Sequence, residues 1–168
     1  QQCKALLSGD IDVGLMRPVG DSLDIRTLAL RDEDIVVAMP ASHRLAGQSP
    51  LDAETLCREP LVSFNNKDAR YFDQIAAQVF RHASRPPEVV QVANQLTTIL
   101  ALVGSGLGLA LVPATSRRLA FPKVVFSELV PAQKVRASLV LACRNEPPGP
   151  VLAGFIDVAR SLEASGAF

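Results

Sequence analysis

The chain has 168 residues, 48% of them hydrophobic and 20% charged, proportions that suit one globular domain or two small lobes. Seventeen basic residues balance seventeen acidic ones, so the chain lacks the basic excess that a nucleic-acid-gripping surface usually carries. No apolar run nears the ~20 residues of a bilayer span. Cys3, Cys57 and Cys143 are odd in number and far apart, without zinc or disulfide-framework spacing.

The elements follow in chain order. Cys3–Ser8 reads as the end of a helix, with Cys3, Leu6 and Leu7 on one face and Gly9 at the C-cap. Residues 11–15 read as a strand that stops before Arg17-Pro18, and residues 25–30 as a second. Asp32-Glu33-Asp34 reads as a solvated turn. The near-continuous apolar run 35–39 is then a third strand, covered on both faces as in a parallel sheet. Ser49-Pro50 reads as a helix start, with Ser49 as N-cap and Pro50 in the first turn. Residues 61–64 form a short buried strand that opens into the polar loop 65–68.

The strongest helical period is Ala69, Phe72, Ile75, Ala76, Val79, Phe80 and Ala83, with Asp68 or Asn66 able to cap it and Arg85-Pro86-Pro87 to break it. A strand follows at 89–92. A helix capped by Asn94 carries Leu96, Ile99, Leu100 and Val103 and ends at Gly104 and Gly106. Strands at 107–112, 124–126 and 135–143 follow, with a short segment at 114–119. The last helix runs from about Val151 to Glu163, and the tail beyond it should fray. Alternating β and α elements of this kind signal an α/β fold. Ligands in open α/β sheets sit beyond the carboxyl ends of strands, which points to Arg17-Pro18, 65–67, 94–98 and 113–116.

Most chemical constellations fail on context. His43 and His82 lack a convergent nucleophile and orienting acid, and both read as surface or structural residues. Gly104-Ser105-Gly106-Leu107-Gly108 follows a helix and precedes a strand, the reverse of a phosphate loop, so helix termination and close packing explain it. The basic residues Arg17, Arg31, Lys67 and Arg70 are more informative, because arginine forks and helix N-termini recognise carboxylates. Spacing alone leaves two readings open: an acidic small molecule, or internal pairing with Asp32, Glu33 or Asp68.

Several segments together resemble the effector-binding domain of LysR-type transcriptional regulators. They are Leu7-Ser8-Gly9-Asp10-Ile11-Asp12-Val13-Gly14-Leu15, then Val36-Val37-Ala38-Met39-Pro40-Ala41-Ser42-His43-Arg44-Leu45-Ala46, then Glu59-Pro60-Leu61-Val62, and above all Val92 to Pro113 with its core Leu102-Val103-Gly104-Ser105-Gly106-Leu107-Gly108-Leu109-Ala110-Leu111-Val112-Pro113. The resemblance covers essentially the whole chain. It implies a two-lobed α/β fold like type 2 periplasmic binding proteins, with two crossovers and an effector between the lobes. Residues 1–33 and 134–168 would form lobe I and residues 34–133 lobe II. The first β-α-β segment of lobe I and the winged helix-turn-helix domain would lie outside this sequence.

The similarity is greatest to regulators of aromatic-compound degradation, which implies an aromatic or dicarboxylic acid effector. Arg17, with Pro18, and Arg31 fall where that branch carries arginines near bound carboxylates. Phe64, Asn65, Asn66, Arg70, Tyr71 and Phe72 fall where the second lobe contributes loop and helix N-terminal groups, and Thr97 and Pro113 also match. The helix at 69–83, through Phe72, Ile75, Ala76, Val79 and Phe80, would form a homo-oligomer interface in a dimer or tetramer. The resemblance thus implies a cytoplasmic, non-enzymatic sensor without cofactor or metal, reaching DNA only through the domain outside this sequence and binding no membrane. The alternative is an exported solute-binding protein of a transporter, against which the motifs and unpaired cysteines count.

Overall fold

The computed structural model describes residues 2–18, 23–64, 71–130, 132 and 135–165. In chain order the elements are α1 (Gln2–Ser8), β1 (Val13–Met16), β2 (Ile25–Pro40), α2 (Ala53–Leu56), β3 (Pro60–Phe64), α3 (Tyr71–Val79), β4 (Glu88–Ala93), α4 (Leu96–Gly104), β5 (Ala110–Pro113), a 3-10 turn over Ala114–Leu119, β6 (Val124–Glu128), β7 (Arg136–Arg144) and α5 (Pro150–Ala164). They divide into two units, Gln1–Asp32 with Ser138–Phe168, and Glu33–Ala137.

In the first unit α1 stops at Gly9, whose φ of +80° suits a residue without Cβ and whose N–H donates to Leu6 O at 3.2 Å. Arg144 closes the same helix end. Its Nη1 donates to Leu6 O and to Ile11 O, each at 3.0 Å, and its Nη2 to Asp12 at 2.8 Å. β1 pairs antiparallel with β7, Val13 opposite Cys143 and Met16 opposite Val140, and β7 in turn neighbours β2. One face of these strands packs Leu30, Leu141 and Cys143 against Ile156 and Ala159 of α5. The other packs Ile25 and Ala142 against Leu6 of α1.

In the second unit the later half of β2 lies between β5 and β6 and is antiparallel to both. Its side chains alternate between two cores. Ile35, Val37 and Met39 meet Leu56 of α2 and Ile75 and Val79 of α3. Val36 and Ala38 meet Ile99, Leu100 and Val103 of α4. β3 pairs parallel with β4 and joins β5 through Val62 N–H to Leu109 O (2.7 Å) and Leu109 N–H to Pro60 O (2.8 Å). Gly108 permits that approach, because a Cβ there would stand 2.5 Å from the Pro60 carbonyl oxygen.

Four expectations change. The strands expected at 25–30 and 35–39 are one strand, so Asp32–Asp34 is not a turn: the chain stays extended through it. The run 35–39 is covered on both faces, as expected, but its neighbours are antiparallel. Helices on each face make the run apolar, whatever the strand direction. The short helix after Ser49 starts later, at Ala53, where Asp52 accepts the Thr55 N–H at 2.7 Å; Ser49 Oγ instead accepts the Glu128 N–H. The N-cap of α4 is Gln95 rather than Asn94, and its side chain makes no capping bond.

The glycine-rich segment behaves as its context required. Gly106, at φ +90°, donates to Val103 O, and Leu107 N–H reaches back to Leu102 O at 3.2 Å, the two bonds of a Schellman helix stop.

Candidate functional site

The first unit holds Arg17, Pro18 and Arg31. Arg17 follows β1 directly, and its Nη1 donates to the Ser138 carbonyl oxygen at 3.0 Å. Ser138 Oγ in turn donates to Asp32 Oδ1 at 2.6 Å. Arg31 is half-buried on β2, and no hydrogen bond or ion pair joins its guanidinium to a described residue. Among the described residues, then, Arg31 pairs with neither Asp32 nor Glu33; Asp68 lies outside them. Pro18 is half-buried beside Arg17.

The second unit holds the aromatic group. Phe64, at the end of β3, stacks on Phe72 of α3 with ring centroids 4.1 Å apart, and Tyr71 meets Phe72 edge-on at 5.7 Å. All three are half-buried. Such ring pairs contribute about 0.5–1.5 kcal/mol beyond their area, enough to fix the end of β3 against the start of α3. Asn65, Asn66 and Arg70, with the expected capping residue Asp68, lie outside the described residues. Thr97 is exposed in the first turn of α4. Pro113 is buried at the end of β5, opposite Ile35.

The expected interface residues separate into two kinds. Ile75 and Val79 are buried in the core beneath α3, and Phe80 is largely buried beside them while it lines the groove described below. The same helical period that marks an interface marks a core, and here it marks the core. Phe72 and Ala76 keep part of their surface. Beside them an open groove of about 350 Å³ is lined by Ala76, Ala77, Phe80, Arg85, Pro86 and Pro87, among others.

Sequence reasoning missed Glu33. Its side chain is buried, and it accepts Thr115 Oγ1–H at 2.5 Å and, more loosely, Thr115 N–H at 3.4 Å. The signal was the alternation Arg31-Asp32-Glu33-Asp34, which on an extended strand sends neighbours to opposite faces. Glu54 is another tied carboxylate. The Ser84 N–H, the Ser84 hydroxyl and then Arg58 hold its pKa down at about 2. His43 is structural: its Nδ1 accepts the Leu45 N–H, and its Nε2 faces Glu59 at 3.3 Å. Among the described residues no group of three or more His, Cys, Asp or Glu could hold a metal ion, and no helix is long and apolar enough to cross a membrane.

Comparison with known proteins gives these parts a setting. The family described as the LysR substrate binding domain matches residues 1–163. The Hca operon transcriptional activator HcaR of Escherichia coli (strain K12) is 33% identical over 168 residues, covering 98% of this chain and 55% of that protein. Among solved structures, full-length CbnR in complex with its target DNA aligns with a TM-score of 0.82 at 26% identity, over 95% of this chain and 55% of that one. The BenM effector-binding domain with its effector benzoate aligns with a TM-score of 0.81 at 24% identity, over 99% of this chain and 76% of that one. The chain spans about half the length of the full-length regulators it matches.

Proposed function

Because the chain belongs to the LysR substrate-binding domain family, we propose that it senses a small aromatic or dicarboxylic acid, with Arg31 and Arg17 as its carboxylate-binding groups. The observation that carries this reading is Arg31: a half-buried residue to whose guanidinium no described side chain is bonded. An arginine to which no described group is bonded is open to a ligand carboxylate, which would engage it through a charge-assisted fork. The second unit brings its own candidates, the stacked rings of Phe64, Tyr71 and Phe72 and Thr97 in the first turn of α4. Pro18, Asn65, Asn66, Arg70 and Pro113 complete the proposed set. Benzoate, the effector of the BenM domain, is an acid of this class.

In this reading residues 1–33 and 134–168 are lobe I and residues 34–133 lobe II of a sensor. The effector favours one arrangement of the longer regulator over another, a coupling typically of about 1–3 kcal/mol. DNA is reached through a part of that regulator beyond this sequence, and the regulator works in the cytoplasm as a non-enzymatic homo-oligomer that associates through α3. The reading as an exported transport protein is set aside, because the matched family and relatives are transcriptional regulators.

Isothermal calorimetry with benzoate and with cis,cis-muconate tests the proposal. Arg31→Ala should weaken whichever acid binds by about tenfold or more, the loss expected for a hydrogen bond to a charged group. No heat from either acid, or binding that ignores Arg31→Ala and Arg17→Ala alike, would overturn the effector assignment.

A further inference from the structure

We propose that the outward stripe of α5 is a self-complementary seam on which a second copy of this chain docks, the two α5 helices lying antiparallel. The seam belongs to the first unit and is separate from the association through α3, which lies in the second.

α5 is apolar along two adjoining strips. Leu152, Ile156 and Ala159 turn toward the core of the first unit. Val151, Phe155, Val158 and Leu162 do not: they are 90%, 48%, 59% and 42% accessible. Their spacing of four, three and four residues sets them in one line along the helix, as in the seam of a coiled coil. At ~100° per residue the two strips together take up about half of the helix circumference, and the sheet covers only one of them. The charges that normally clothe an exposed strip sit elsewhere. Asp157 and Arg160 lie on the far side of the helix from the stripe and meet each other at 3.9 Å. The stripe is bordered instead by Gly154 and Ser161, small residues beside which a second helix can come close; a Cβ on Gly154 would meet nothing within 4 Å.

A second copy fits this stripe because its spacing is the same from either end. About a two-fold axis between Ile156 and Asp157, Val151 faces Leu162 of the other copy and Phe155 faces its Val158, so every side chain of the stripe meets an apolar one. No charge enters the seam. Glu163 comes level with the start of the other helix, where Gly149 supplies no side-chain cap and the free amides favour a carboxylate. An unrelated helix would have to carry this pattern independently, whereas a second copy brings it by symmetry. Four side chains from each copy make a seam smaller than the ~800 Å² per partner of a standard interface, so the association should be weak.

The test is sedimentation velocity combined with hydrogen exchange over a concentration series of the 168-residue chain, carried to about 1 mM because the seam is small. Association should rise with concentration, with residues 151–162 gaining protection in step. Val158→Glu, an exposed change that leaves both cores intact, should weaken that association by about tenfold or more by setting a carboxylate beside the other copy's Phe155. Arg160→Glu, a larger change of charge on the far side of the same helix, should leave it unmoved. Ala77→Glu, on α3, separates the seam from the association proposed there. Association lost in Ala77→Glu but unmoved by Val158→Glu would overturn the α5 seam and keep α3. Equal loss in Val158→Glu and Arg160→Glu would reduce the effect to net charge and overturn the seam. So would residues 151–162 that exchange at one rate across the whole series, leaving the stripe to a partner other than a second copy.

Discussion

Among the described glycines, Gly108 is the one where a single methyl group has the most to displace. A Cβ there would stand 2.5 Å from Pro60 O and 3.0 Å from Pro60 C, both backbone atoms held by the β3–β5 junction. Gly108→Ala should therefore destabilise the chain by about 1–3 kcal/mol, the range for an overpacked core, with urea unfolding as the measurement. Gly106→Ala strains a different term, since its φ of +90° suits only a residue without Cβ. The sequence signalled both roles, because glycines placed after a helix and before a strand have few other uses. It did not signal that Glu33 would be buried. A carboxylate beside Asp32 and Asp34 looks solvated until the strand is seen to run on through it and turn Glu33 toward Thr115.

At the scale of elements, Glu54 ties α2 to the turn that follows α3 through both the N–H and the hydroxyl of Ser84, each at 2.8 Å. Its folded pKa of about 2 lies below its ordinary 4.5, so the ionised form is the one that favours folding. That contribution is fully present above the ordinary value and disappears as pH falls through the folded one. Glu54→Gln should flatten the fall in stability between about pH 5 and pH 2, measured by urea unfolding across that window.

Periodic elements were legible. The stripes of α3 and α4 and the apolar run of β2 declared themselves by spacing. Boundaries set by a single side chain were not. Asp52 and Ser49 are both good caps, and which of them binds Thr55 N–H depends on β6 drawing Ser49 toward Glu128. Whether the α3 stripe faced a core or a partner also lay beyond periodicity, because both bury the same residues.

For the whole molecule, the later part of β2 is a strongly protected segment of backbone among the described residues. Val36, Val37 and Ala38 are paired on both sides, by β5 and β6, and covered on both faces by helices. Their amides should be the last to exchange with deuterium, at the rate of global unfolding, while amides at the two ends of α5 exchange earlier. Protection that peaks in α5 or β1 would contradict the two-core description. The membership of the fold family was legible because its motifs come in a fixed order along the chain. The candidate site was legible only in part: the sequence offered Arg17 and Arg31 together, and only coordinates separated the arginine bonded to Ser138 from the one with no described partner.

The placement of the thiols gives the protein a clock of its own. With no tryptophan and a single tyrosine it is nearly silent to fluorescence, yet Cys143 sits in the core of the first unit and Cys57 in the core of the second, both buried as free thiols, while Cys3 is partly accessible. An alkylating reagent will meet Cys3 first. Each of the other two can react only when its own unit opens. Mass spectrometry of the modified peptides would then time the breathing of the two units separately, on unlabelled, unmutated protein, and show whether an added acid slows one unit or both.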